Sequence, residues 1–120
     1  MRATMPNERF QISKGQWRRA DKAPFGRGKK APMVPLNCPI TYGADYTSTG
    51  LREHVVTIFD TVAGTLANQD GIEVGTQSVQ GTRGTVSVTF TPLAVVGVHE
   101  IAVYVDGRLE TETDIEVSEA

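Results

Sequence analysis

The sequence contains one cysteine, Cys38, and two histidines, and only 7% of its residues are aromatic. A single cysteine excludes an internal disulfide framework, so burial and sheet pairing must hold the fold together. Cys38, directly before Pro39, reads as a small buried or half-buried side chain. Long apolar runs are missing too. The longest uncharged stretch, Gly84 to His99, includes Pro92, Gly97 and alternating threonines, and falls short of the roughly 18 apolar residues of a membrane span. Met1 to Pro35 lacks the apolar block of about 7 to 15 residues that a secretory signal carries, so a soluble protein used without that export route is expected. No segment repeats its apolar residues at helical spacing, which leaves an all-β domain.

What is present is a charge divided in two. Residues 1–35 hold nine Lys or Arg against two acids, and residues 36–120 hold three Arg against twelve acids, so +7 is followed by −9 and the chain nets −2. Such a pairing of basic and acidic parts points to docking or assembly rather than catalysis.

In the first part, Pro6, Pro24, Pro32 and Pro35 with Gly15, Gly26 and Gly28 interrupt any helix, and no period-two alternation persists. Residues 1–35 therefore read as an extended basic arm that cannot bury itself. A plain spacer would be Gly/Ser-rich and free of aromatics. Here Phe10, Ile12, Trp17, Phe25, Met33 and Val34 are spread between the charges, as expected of a segment that orders on a partner. Partner contacts are assigned to Phe10, Trp17, Arg18, Arg19, Phe25, Arg27, Lys29 and Lys30. An acidic protein surface suits them better than nucleic acid, because phosphate would repel the acidic remainder. Removing the arm is expected to leave a folded monomer.

Residues 36–120 read as a small antiparallel sandwich of five or six strands. Val86, Val88 and Phe90 alternate with Thr85, Ser87, Thr89 and Thr91. Ile101, Val103 and Val105 share a face, Asp106-Gly107 closes a tight hairpin, and the returning strand sets Leu109, Thr111, Thr113, Ile115 and Val117 against Glu110, Glu112, Asp114 and Glu116. Glu53 to Asp60 reads as a central strand, and Ile72 to Gln77 as another after a turn at Asn68 to Gly71. Leu36 to Tyr42, bearing Pro39, is expected at an edge or as a lead-in.

Chemistry-bearing motifs are few. His54 and His99 lie inside expected strands, where hydrogen-bonded structural histidines are the ordinary case. No nucleophile elbow, phosphate-cradling loop or paired-cysteine metal site is present, so no catalytic residue, metal or cofactor is expected. The row Glu110, Glu112, Asp114 and Glu116 is too widely spaced for one cation, since alternate strand residues lie about 6.5 to 7 Å apart. It reads as a charged guard on a sheet edge.

Val86 to Pro92 followed by Gly97 to Gly107, together with Thr57 to Gly64, resembles a filamin-type immunoglobulin repeat over residues 53–117. The resemblance implies an immunoglobulin-like β-sandwich. His99 stands where that family usually has an aromatic such as tyrosine, and Thr111 to Asp114 replaces its Gly-Ser-Pro-Phe step, so its peptide groove is not carried over. The architecture is also similar to bacteriophage capsid decoration proteins. The expectation is thus a non-enzymatic cement protein at the virion surface, pinned by its arm to shell subunits, with homo-oligomerisation open. Two rivals are a glycan or cell-surface module reading through Thr61 to Gly71 and Gln77 to Gly84, and a nucleic-acid-binding arm on an oligomerising sandwich. Solvent-facing aromatics for sugar stacking reduce to Tyr42, Tyr46 and Tyr104.

Overall fold

The computed structural model describes residues 9–62 and 71–119. Ten strands carry them: β1 (Phe10–Ile12), β2 (Gln16–Arg19), β3 (Gly26–Arg27), β4 (Pro32–Pro35), β5 (Ile40–Ser48), β6 (His54–Val62), β7 (Ile72–Val79), β8 (Arg83–Phe90), β9 (Gly97–Val105) and β10 (Arg108–Ser118). No helix occurs among the described residues. In the smaller sheet β5 pairs along its length with β8, and its other edge takes β1 and β2 end to end. The larger sheet runs β3-β4-β10-β9-β6-β7, with β4 parallel to β10. This is an all-β, immunoglobulin-like sandwich.

Period-two alternation builds it. Ile40, Tyr42, Ala44 and Tyr46 of β5, Val86, Val88 and Phe90 of β8, Val56 and Ile58 of β6, Ile101, Val103 and Val105 of β9, and Ile115 and Val117 of β10 form one buried core. Cys38 is buried beside them. The β9–β10 turn has positive φ at Asp106 (51°) and Gly107 (83°), the geometry its Asp-Gly pair predicts.

The first thirty-five residues depart from expectation. Instead of a separate arm, residues 9–35 contribute four strands, two to each sheet. Phe10 stacks on Tyr46 and His54 at 5.2 and 4.3 Å, while Trp17 lies 4.6 Å from Tyr42 and edge-on to Phe90 at 6.0 Å. Phe25 packs on the core, and Val34 is 1% exposed within it. The reason is that β5 would otherwise be an open edge, and the scattered apolar side chains fill the space beside it. The prolines fit because Pro24 lies between β2 and β3, and Pro32 and Pro35 terminate β4. Between β1 and β2, Ser13 to Gly15 stand opposite Ala44 and Asp45, a bulge that needs glycine: a Cβ at Gly15 would lie 2.1 Å from the Tyr42 ring.

Smaller corrections share this origin. Of the two expectations for Leu36 to Tyr42, Leu36 to Pro39 is a lead-in, and the strand that follows is not an edge, since β5 is flanked on both sides. The acidic strand β10 is paired with β4 only at Glu116 to Ser118, so Glu116 is enclosed, while Glu110, Glu112 and Asp114 lie on the stretch that pairs with β9 alone and stays open on its other side. Leu109 is 51% exposed because the β9–β10 register slips at Glu110. The turn at 68–70 lies outside the described residues.

Tyr42 is fully buried, and its hydroxyl has no hydrogen-bond partner. Burial pushes its phenol pKa up, and the charge of Glu110 adds to the shift. Tyr42→Phe should therefore raise stability by about 1 kcal/mol, seen as a higher urea midpoint. A loss of similar size would show that the hydroxyl is bonded in solution.

Candidate functional site

Alternation divides the first third into an inner and an outer set. On β2, Trp17 and Arg19 are half-buried and Gln16 and Arg18 exposed. Arg19 is held by both oxygens of Asp21, at 3.0 and 2.7 Å, and this hydrogen bonding lowers the Asp21 pKa. Arg18 donates to Gln16 Oε1 at 2.6 Å and otherwise faces solvent. Arg27, Lys29 and Lys30 are exposed on the β3–β4 hairpin, which is tied to β10 by the Lys30 N–H donating to Glu116 Oε1 at 3.4 Å. Of the residues assigned to a partner, Phe10, Trp17 and Phe25 thus pack within the sandwich, and Arg19 is satisfied by Asp21. Arg18, Arg27, Lys29 and Lys30 remain at the surface.

These bases line concave ground. A groove of about 420 Å³ is floored by β5 and β8 and bordered by Lys14, Arg18 and Asp45. Arg18 also borders a second hollow of about 520 Å³ that includes Lys22 and ends at Phe25. Phe25 opens a third, of about 530 Å³, that holds Arg27, Lys29 and Lys30. Neighbouring hollows share Arg18 and Phe25 as lining residues, so the bases follow one another along a basic path. Lys14 and Lys22 escape sequence reasoning because each is an isolated charge, and only the fold sets them in line with the others.

The histidines are structural. His54, 1% exposed, places Nδ1 2.6 Å from Asp106 Oδ2, and Asp106 Oδ1 accepts the Val55 N–H at 2.9 Å. Burial opposes ionisation of Asp106, but the Val55 N–H, His54 and Arg52 outweigh it and hold the carboxyl below its ordinary range. His99 is fully buried, with Nδ1 2.9 Å from both oxygens of Asp60 and Nε2 2.6 Å from the Val95 carbonyl. Both ring nitrogens face acceptors, so with Asp60 ionised the ring must donate from both. Asp60 Oδ2 also accepts the Leu93 N–H at 2.8 Å. In immunoglobulin domains a tyrosine early in the corresponding strand bonds back to upstream backbone. Here His99 makes that corner and adds an ion pair.

Among the described residues no three metal-ligating side chains converge. Of the aromatics expected to face solvent, Tyr42 and Tyr46 are buried, and Tyr104 is half-exposed. The proposed glycan loops shrink: Gln77 to Val79 and Arg83 to Gly84 belong to strands, leaving a turn at 80–82, and residues 63–70 lie outside the described set.

No protein-family model and no curated protein matches the sequence. Among solved structures, the chain is similar to a β-D-glucoside glucohydrolase from Trichoderma reesei at 14% identity and TM-score 0.63, covering 93% of this chain and 19% of that one. It is similar to an alkylpurine DNA glycosylase from Pseudomonas fluorescens, bound to DNA containing an abasic site analog, at 13% identity and TM-score 0.55, covering 92% and 30%. An immunoglobulin-like protein from Pseudomonas aeruginosa aligns at 16% identity and TM-score 0.47, covering 92% and 97%. The chain spans about a fifth or less of the glucosidase chains it matches. At these identities the likeness to the two enzymes is one of fold: a sandwich of this shape forms a small part of each.

Proposed function

We propose that the protein is a non-enzymatic assembly module, an immunoglobulin-like sandwich that docks on an acidic surface of a larger structure through the basic path of its first third. The carrying observation is the run of neighbouring hollows lined by Lys14, Arg18, Lys22, Arg27, Lys29 and Lys30, where Asp45 is the one carboxylate among the lining residues. Concave, singly charged ground raises the local attraction for an oppositely charged partner. Because these bases lie on β2 and β3 or in the short connections between paired strands, binding does not carry the roughly 1 to 2 kcal/mol per residue that ordering a free arm would cost. Its most concrete form is a capsid decoration protein seated on shell subunits, with the filamin-type likeness bearing on fold and not on partner.

The test is a combined Arg18→Glu, Arg27→Glu, Lys29→Glu and Lys30→Glu variant. Particles assembled with the wild type should carry the protein, and those assembled with the variant should lack it, while both melt within a few degrees of each other. Equal incorporation would overturn the reading. Tight, salt-steep binding to duplex DNA, abolished by the same substitutions, would transfer the path to nucleic acid.

A further inference from the structure

The outward face of the six-stranded sheet has the opposite character. Cross-strand register sets its side chains in rows. Leu109, Tyr104, Thr57 and Thr76 form one row across β10, β9, β6 and β7; Glu112, Ala102, Phe59 and Glu73 form the next; Asp114, Glu100 and Thr61 form a third. Phe59 and Tyr104 meet edge to face at 5.2 Å across adjacent strands. Leu109 is 51% exposed beside them, and Val55, one alternate position along β6, is 37% exposed. Glu73 and Glu112 close the aromatic row at either end, and Glu100 and Asp114 follow. No Lys or Arg occupies any of these row positions.

We infer that this face is a second docking surface and that its occupant is an arginine-bearing protein segment. An apolar centre with charged groups along its border is the anatomy of a protein interface, with aromatics as its energetic centre. The four carboxylates exclude an acidic occupant and favour a cationic one. The half-exposed ring pair then selects arginine over lysine, since a guanidinium stacks on an aromatic face while forking to a carboxylate. This surface is independent of the basic path, which lies on other strands, so either can fail alone. If both hold, the protein bridges an acidic partner and a basic one.

The probes are two eight-residue peptides with a central leucine, one flanked by arginines and one by lysines, titrated into the full-length chain while backbone amide shifts are followed. The arginine peptide should bind more tightly, move amides in 57–61, 100–104 and 112–114, and weaken as salt rises. Glu112→Gln with Asp114→Asn should weaken it about five- to tenfold, as expected for two exposed ion pairs. Tyr104→Thr, which keeps a strand-forming residue, should weaken it about two- to fivefold. The Arg18, Arg27, Lys29 and Lys30 reversals should leave its binding site unchanged. Absence of binding, shifts spread evenly over the other acidic residues, equal affinity for the two peptides, or indifference to both face variants would each overturn the inference.

Discussion

A chain lacking residues 1–35 is expected not to fold. The deletion removes β1 and β2 from the edge of β5, β4 from the edge of β10, and Phe10, Ile12, Trp17, Phe25 and Val34 from in and around the core. Truncating a single large buried side chain costs about 2 to 5 kcal/mol. Whole-domain stability is about 5 to 15 kcal/mol, so losing the buried Val34 and four half-buried apolar side chains together with two rows of sheet pairing exceeds what a domain of this size holds. Circular dichroism and amide shift dispersion of the truncated chain read the result directly. A cooperative melt with dispersed signals would show that the body stands without its first third.

The second large effect is expected at the buried pair Asp60–His99. His99→Ala leaves a fully buried carboxylate with the Leu93 N–H as its remaining donor, and should cost about 3 to 5 kcal/mol. Asp60→Val strands both the His99 ring and the Leu93 N–H and should cost a similar amount. Joining them as Asp60→Val with His99→Phe should recover at least half of either loss, because no buried charge is left unpaired. Additive losses would show that packing, not charge, is at stake.

The pair also fixes a pH dependence. Burial disfavours the charged ring, yet Asp60 and the Val95 carbonyl outweigh it and raise the His99 pKa above 6.5. Since the folded value exceeds the unfolded one, the stabilisation is complete below about pH 6.5 and is lost as pH rises through the folded value. Wild-type denaturant midpoints should therefore fall across that window, and the double variant should stay flatter. Asp106 acts in the opposite sense: its lowered pKa gives stability that is present above the ordinary value of 3.8 and lost as pH falls through the folded one. The acid limb should steepen with Asp106 intact.

Much of the body was legible because its strands alternate strongly. Val86 to Phe90 and Ile101 to Val105, with Asp106-Gly107 after them, carry their period and their turn in the residues themselves. The alternation of β5 was there but faint, since Gly43, Ala44, Asp45 and Ser48 dilute it. The first third is not legible in the sequence for a physical reason: strands of two to four residues are too short to show a period, and their stability comes from pairing with β5 and β10 rather than from local preference. Phe10, Trp17 and Phe25 look the same in sequence whether they anchor a foreign surface or pack on their own sandwich. The basic residues were found where they cluster, at Arg27, Lys29 and Lys30; alignment with Lys14 and Lys22 needed the fold. Nothing in sequence spacing could bring Phe59 beside Tyr104, because that contact is made by the β6–β9 register alone.

Amide hydrogen exchange on the isolated full-length chain tests the central claim, that the basic first third is built into the sandwich before any partner arrives. Segments 16–19 and 32–35 should be protected to within about 1 to 2 kcal/mol of segments 40–48 and 115–118, as parts of one cooperative unit. Exchange of residues 10–35 at unstructured rates, beside a protected body, would contradict it.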